Sequence, residues 1–189
     1  PLNVAQGRVE LAGDECDSDH LDAAARAHER MDTLISDLLT LARQGKAVND
    51  TAPIRLTAVV HDCWENVETA DAELSVETDL RVRADEGRLR QLFENLIRNA
   101  VEHGDDAVTV TVGEAADAVG FFVADDGPGI PPEERDRVFD AGYSTSDEGT
   151  GFGLRIVKQV AEAHGWDVRV TGSREGGARF EVTGVETAE

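Results

Sequence analysis

Between residues 45 and 53 the apolar pattern of this chain changes its period, and the two sides of that break must fold differently. Ahead of it the pattern is helical. Leu2, Ala5, Val9 and Ala12 recur at spacings of three and four, which is one face of a helix. Gly13-Asp14 interrupts that face, and the polar run at 14–19 reads as a loop ending in a helix cap. From about 20 to 44, Leu21, Ala24, His28, Met31, Ile35, Leu38 and Ala42 step by three and four in alternation, a coiled-coil seam. Leu34, Leu39 and Leu41 widen the seam toward a bundle face. The expectation is a helical hairpin over residues 1–47 that pairs with a second copy as a dimeric four-helix bundle. Residues 45–53, Gly-Lys-Ala-Val-Asn-Asp-Thr-Ala-Pro, have the composition of a linker.

Beyond the linker, helical and strand periods alternate. Residues 56–67, 85–103 and 152–164 read as helices. The middle one carries Leu89, Leu92, Phe93, Leu96, Ile97 and Ala100 on one face. Short strand runs fall at 74–82, 108–112, 119–124, 168–171 and 178–182, the last two flanking Glu175-Gly176-Gly177 as a hairpin. Adjacent strands joined by hairpins among helices predict an α+β fold for residues 53–189. It is a two-layer α/β sandwich with a mostly antiparallel sheet packed on helices.

The chain has 189 residues, and a chain of that size buries about 70% of its unfolded surface without help from a metal or disulfide. Its two cysteines, Cys16 and Cys63, form no C-x-x-C pair. That excludes a zinc ribbon or a disulfide framework and fits a reducing, cytoplasmic setting. The longest apolar run, Ala118 to Ala124, is far short of the ~20 residues of a membrane span. No methionine precedes Pro1-Leu2-Asn3, which reads as the continuation of a longer chain, its parent cytoplasmic or tethered to a membrane.

Two glycine-rich stretches carry the chemistry: Asp125-Asp126-Gly127-Pro128-Gly129-Ile130 and Gly149-Thr150-Gly151-Phe152-Gly153-Leu154. Neither is a P-loop or a G-x-G-x-x-G fingerprint. Glycines let a backbone approach a ligand closely, and the second stretch opens into a helix whose N-terminal amides favour a phosphate. The first follows a strand, and its leading Asp125 can accept from an amino group. Either stretch alone reads equally well as a plain turn. Asn95 and Asn99 lie one turn apart beside an apolar stripe. Asparagine is a poor helix former, so the pair is either a solvated or capping pair or a polar contact. In the second case an Asn oxygen can complete a magnesium shell beside phosphate oxygens.

Taken in order, Asn95-Leu-Ile-Arg-Asn99-Ala, Asp125-x-Gly-x-Gly, Arg137-Val-Phe139 and Gly149-x-Gly-x-Gly-Leu resemble the N, G1, F and G2 boxes of sensor histidine kinases. The wider superfamily includes gyrase-type and MutL-type ATPases. The resemblance implies that 1–47 is part of a dimerisation and histidine-phosphotransfer hairpin and that 53–189 is a catalytic ATP-binding domain. It implies Mg²⁺ on Asn99, with Asn95 facing the phosphates, and Asp125 accepting from the adenine amino group. Gly127 and Gly129 pass under the base, and Phe139 anchors a lid at about 140–150. Gly149, Thr150, Gly151, Phe152, Gly153 and Leu154 meet the phosphates and hinge that lid. The implied partners are a response regulator receiver domain and a second copy of the chain.

Two departures from the family pattern stand out. Glu102 and His103 occupy places where many members carry a basic residue and then Tyr. His103 can still meet the nucleotide, but Glu102 cannot neutralise a phosphate. The phosphoacceptor box of the family also ends in Pro-Leu, so Pro1-Leu2 places the acceptor histidine five positions upstream of Pro1. Histidines 20, 28, 61, 103 and 164 lie in no such box. A gyrase-like or MutL-like ATPase clamp would need a Glu base where Asn95 stands. A degenerate nucleotide-sensing module is the third alternative, with Glu102 its one support.

The charge balance narrows the partners. Acidic residues number 39 against 18 basic ones, a formal charge of −21. Such a chain is unfit to neutralise nucleic-acid phosphates or to dock on an anionic membrane. It repels itself in dilute buffer, and concentrated salt, with a Debye length of ~3 Å at 1 M, removes that repulsion. The expectation is a protein of a halophilic cytoplasm. The thermal midpoint should rise steeply between 0.1 and 2 M KCl in a calorimetric salt series, whereas a flat midpoint would refute the salt adaptation.

Overall fold

The computed structural model describes residues 51–67, 69, 71–104, 107–116, 118–140, 142, 143 and 151–188. It also describes a scatter of positions within 1–50. Of these, residues 5, 7, 9, 11, 12, 20, 21, 23–25, 27, 28, 31, 34 and 35 are helical, in keeping with the expected helices. The hairpin loop, the second half of the seam, and the lid with Gly149 and Thr150 lie outside the described residues.

Seven strands and three helices build the remainder. They are β1 (Ala52–Arg55), α1 (Leu56–Asn66), β2 (Glu73–Glu77), β3 (Arg81–Ala84), α2 (Glu86–His103), β4 (Thr109–Glu114), β5 (Gly120–Asp125), α3 (Gly153–His164), β6 (Asp167–Gly172) and β7 (Ala178–Thr183). Five strands form one sheet in the order β2-β4-β5-β7-β6. Only the β2–β4 pair is parallel; the other three pairings are antiparallel. The α+β expectation therefore holds, and so do the strand and helix runs.

The small second sheet was not anticipated. Ala52 and Pro53, read as the end of a linker, already belong to β1, which pairs antiparallel with β3. Residues 185–188 add a third partner on the other edge of β3. Thr187 bridges Val82, the Arg83 amide donates to the Glu186 carbonyl at 2.8 Å, and the Ala188 amide donates to the Arg81 carbonyl at 2.9 Å. A run of four residues with one buried side chain carries no alternation strong enough to stand out in the sequence.

Helix α2 positions the site. Asp85 caps it, its Oδ1 accepting from the Arg88 amide at 2.9 Å, with Glu86 in the first turn where the helix dipole favours an acid. Its stripe, Leu89, Leu92, Phe93, Leu96, Ile97 and Ala100, is buried as the spacing requires. Phe93 meets Phe121 of β5 at a ring separation of 5.3 Å, and Phe121 meets Trp166 edge-on at 6.3 Å. Helix α3 adds Ile156, Val157, Val160 and Ala161 to the same core and ends at Gly165, whose φ of 76° is the left-handed cap that glycine favours. Cys63 of α1 is buried beside the Arg90 carbonyl, and burial pushes its thiol pKa up to about 12, which makes it an inert core group.

Phe121 is fully buried and links two aromatic contacts across helix and sheet. Phe121→Ala should lower the unfolding free energy by about 3–5 kcal/mol, read from urea denaturation followed by circular dichroism.

Candidate nucleotide-binding site

The site is built where α2 ends, where β5 runs into its glycine turn, and where the β6–β7 hairpin returns. Asp125 is the last residue of β5 and is 9% exposed. Its Oδ1 accepts two backbone bonds, from Gly127 at 3.1 Å and from Ala178 at 3.0 Å. Among the described residues, no hydrogen bond reaches Oδ2. Burial raises the carboxyl pKa above its ordinary value, against the opposing pull of the two amides and of His103. One oxygen is thus committed to the fold, and the other oxygen of this largely buried carboxyl has acceptor capacity to spare.

The glycines around Asp125 are dictated by close approach more than by turn conformation. A methyl group at Gly177 would run into the carbonyl and carboxylate oxygens of Asp125. One at Gly127 would sit 3.2 Å from the Cα of Gly104, just past α2. At Gly104 it would meet the Ala100 carbonyl at 2.6 Å and Val108 at 2.7 Å. Gly129 combines both demands: its φ is +73°, and a methyl would lie 2.8 Å from the Gly176 carbonyl. The turn therefore packs backbone to backbone against the end of α2 on one side and the hairpin on the other. At Gly127 the close approach of Gly104 alone already calls for a glycine. The hairpin at Glu175-Gly176-Gly177 is where the sequence places it, but its contact with Asp125 through Gly177 and Ala178 could not be read from the sequence. Their partner Asp125 is 53 positions away, and the one available signal was the Gly-Gly doublet itself.

Asn95 is buried at 8% exposure, and its Nδ2 donates to the Gln91 carbonyl at 2.8 Å. Its Oδ1 faces the start of α3, where a methyl on Gly153 would be 3.1 Å away. Asn99 lies one turn further on, half-buried. His103 follows after another turn, close enough to pull on the Asp125 carboxyl. All three share one face of α2, as the spacing predicts.

The flanks of the lid are described although its middle is not. The Gly142 amide donates to the Gly151 carbonyl at 3.0 Å, and the two glycines, with φ of +80° and +70°, touch backbone to backbone. Tyr143 donates its hydroxyl to Glu134 at 2.7 Å, and the Arg137 guanidinium lies 5.8 Å from its ring centroid. Phe139 is buried edge-on to Phe180 of β7 at 6.4 Å, with the Lys158 ammonium 5.9 Å from its ring centroid. Phe152 precedes α3 and receives the Ile156 amide at 2.9 Å, while Leu154 packs against the core.

This donor set fits an adenine nucleotide. A largely buried carboxyl with a free oxygen matches an exocyclic amino group, and the start of α3 offers amides for phosphate. The Asn99 carboxamide stands on the same face of α2, with an oxygen that suits magnesium.

The comparisons agree. A profile of the histidine kinase-, DNA gyrase B- and HSP90-like ATPases matches residues 84–186, and the chain belongs to that family. Relatives within it include a sensor protein and a histidine-protein kinase. The sensor protein IrlS of Burkholderia pseudomallei is 34% identical over 161 residues, 78% of this chain and 35% of that protein. The signal transduction histidine-protein kinase AfsQ2 of Streptomyces coelicolor is 33% identical over 163 residues, 80% of this chain and 30% of that protein. The crystal structure of full-length ShkA in complex with AMPPNP superposes with a TM-score of 0.74 at 29% identity, covering 100% of this chain and 44% of that one. The chain spans about a third of the length of the two curated relatives, and it carries a histidine-kinase-type ATP-binding catalytic domain.

Gly177→Ala should displace the hairpin from Asp125. The expected result is a thermal midpoint lowered by several degrees, from about 1–3 kcal/mol of lost stability, together with weakened ATP binding in calorimetry.

Proposed function

We propose that this chain is the catalytic core of a sensor histidine kinase. It binds Mg-ATP, and the γ-phosphoryl passes to a histidine nitrogen and then to an aspartate of a response regulator receiver domain. In the first transfer the bond from the γ-phosphorus to the bridging oxygen breaks, a P–N bond forms, and ADP leaves. The observation that supports this reading best is the divided Asp125 carboxylate, one oxygen tied to Gly127 and Ala178 and the other open to a base.

Each residue has a part in that reading. Asp125 selects adenine, because its free oxygen accepts from the amino group and would face the carbonyl oxygen of guanine. Gly151, Phe152, Gly153 and Leu154 lead the chain into α3, whose first amides receive the phosphates. Asn99 supplies an oxygen to Mg²⁺, which neutralises phosphate charge that Glu102 cannot. Asn95 orients the start of α3 through its Oδ1. His103 borders the base beside Asp125. Such transfer relies on positioning and charge stabilisation more than on covalent chemistry by the protein.

A further point belongs to the same proposal. Leu11, Met31 and Ile35 are exposed at 66%, 40% and 48%. Met31 and Ile35 are one turn apart, an apolar face suited to a second copy of the helical stretch. The ATPase-clamp alternative fares worse: Asn95 stands where a general base is needed, a carboxamide cannot take the proton, and its Nδ2 is already engaged with Gln91.

The nucleotide is tested by Asp125→Asn, which keeps an acceptor for Gly127 and Ala178 but turns a donor toward the adenine amino group. ATP affinity should fall about 5- to 150-fold, the effect of 1–3 kcal/mol for an unpaired buried group, with the thermal midpoint nearly unchanged. Asp125→Ala, by contrast, also strips two backbone amides of their acceptor and should destabilise the fold. The metal is tested by Asn99→Ala, which should erase most of the gain in ATP affinity on adding magnesium while leaving metal-free ADP binding intact. Unchanged calorimetric affinities in both variants would refute the site assignment.

A further inference from the structure

His164 is a half-buried titratable group that the proposed reaction does not use, and it joins the two helices that carry the site. Its Nε2 accepts the Asp85 amide at 3.0 Å, at the start of α2. Its Nδ1 lies 2.8 Å from the Val160 carbonyl, in the last turn of α3, and donates to it. The ring stacks on Trp166 at 4.2 Å, a placement set by the left-handed Gly165 between them. Both bonds together require the neutral ring with its proton on Nδ1, because an amide donor and a carbonyl acceptor leave no other arrangement.

A second close approach between these helices puts Asn95 Oδ1 against Gly153, where a methyl group would come within 3.1 Å of it. Ten residues separate Asp85 from Asn95 and eleven separate Gly153 from His164, or about 15 and 16 Å along the helix axes. The helices therefore run antiparallel and are held at two matched points, by a hydrogen bond at His164 and by close packing at Gly153. One pin lies at the nucleotide site and the other at the far end. A rigid helix pair held at two points cannot slide or pivot at one without disturbing the other.

We propose that His164 is a positioning residue for the nucleotide site: its neutral imidazole holds α3 in register with α2, so that the start of α3 meets the phosphates beside Asn95. This rests on the nucleotide reading above. Protonating Nε2 replaces the acceptor of the Asp85 amide with a second donor and releases the far pin. Burial already depresses the pKa of the ring below its ordinary value. The Val160 carbonyl opposes that shift, the Arg88 charge of α2 adds to it, and the Asp85 carboxylate opposes it. The sign follows from linkage. The unfolded chain takes up the proton first, so the contribution of this histidine is complete above about pH 6.5 and is lost as pH falls toward the lower folded value.

The test compares the full chain with His164→Gln, which keeps an acceptor near the Asp85 amide but does not titrate, and with His164→Leu, which removes both bonds. Binding of Mg-ATP is measured by calorimetry at 10 °C between pH 5.5 and 7.5, with folding followed by circular dichroism. Between pH 7.5 and 5.5 the wild-type Kd should rise at least threefold more than that of the Gln variant. Titration of the ATP phosphates and of Asp125 is common to both and cancels in the comparison. At pH 7.5 the folded Leu variant should bind about 3- to 10-fold more weakly, the effect of one lost hydrogen bond. A lowered thermal midpoint with unchanged Kd and parallel pH profiles would show a purely structural histidine and overturn the proposal. Should the Leu variant not fold, the pH comparison with Gln decides. Wild-type protein that binds no nucleotide at any pH would overturn the nucleotide reading, and this inference with it.

Discussion

The structure turns on one carboxylate oxygen. Asp125 Oδ1 gathers the end of β5, the glycine turn after it and the first residue of β7 through two backbone bonds. Those segments are the walls of the proposed nucleotide site, so the group proposed to read the base also joins the walls around it. A buried carboxylate is costly unless its hydrogen-bonding capacity is met. Half of it is met by the fold, and in the proposed reading the other half serves a ligand. Folding and recognition thereby share one side chain, and substitutions there must be judged on both.

The same economy governs the buried polar groups as a whole. Thr78, Asn95 and Asp125 are the buried polar or charged residues among those described, and two of the three belong to the site. Against a formal charge of −21, this means that among the described residues the acidic load, Asp125 apart, lies outside the core. Where titratable groups do enter protected places, burial drives them toward neutrality: the Cys63 and Asp125 pKa values go up, and that of His164 goes down. The arginines of the sheet follow another rule. Arg169 and Arg179 converge on Glu181 at 2.6 and 2.7 Å, and the Arg179 guanidinium lies 3.4 Å over the Phe122 ring. The polar face of the sheet is thus tied by charge and stacking while the other face is tied by apolar packing.

Within residues 51–188 the periods of two and of roughly three and a half were sufficient to place the main helices and most strands, because one face of each element is buried in one core. The four boxes were equally legible, since residue type and spacing are properties of the chain itself. Asn95, Asn99 and His103 share a face of α2 because helical geometry is local. That Asp125 closes a strand and precedes a turn could likewise be read from its neighbours.

Tertiary structure decided everything that depends on which distant segments touch. Gly127 is a glycine because Gly104 lies against it, and Gly177 because Asp125 does, yet no pattern within either stretch reveals the other. The third partner of the small sheet, residues 185–188 beside β3, joins segments about a hundred positions apart. His164 looked like an incidental helical histidine, and only the packing of α3 on α2 gives each of its nitrogens a partner. The physical reason is the same throughout. Local sequence sets backbone periodicity and the chemistry on offer, whereas close approach, burial and hydrogen-bond partnership arise only when the chain has closed on itself.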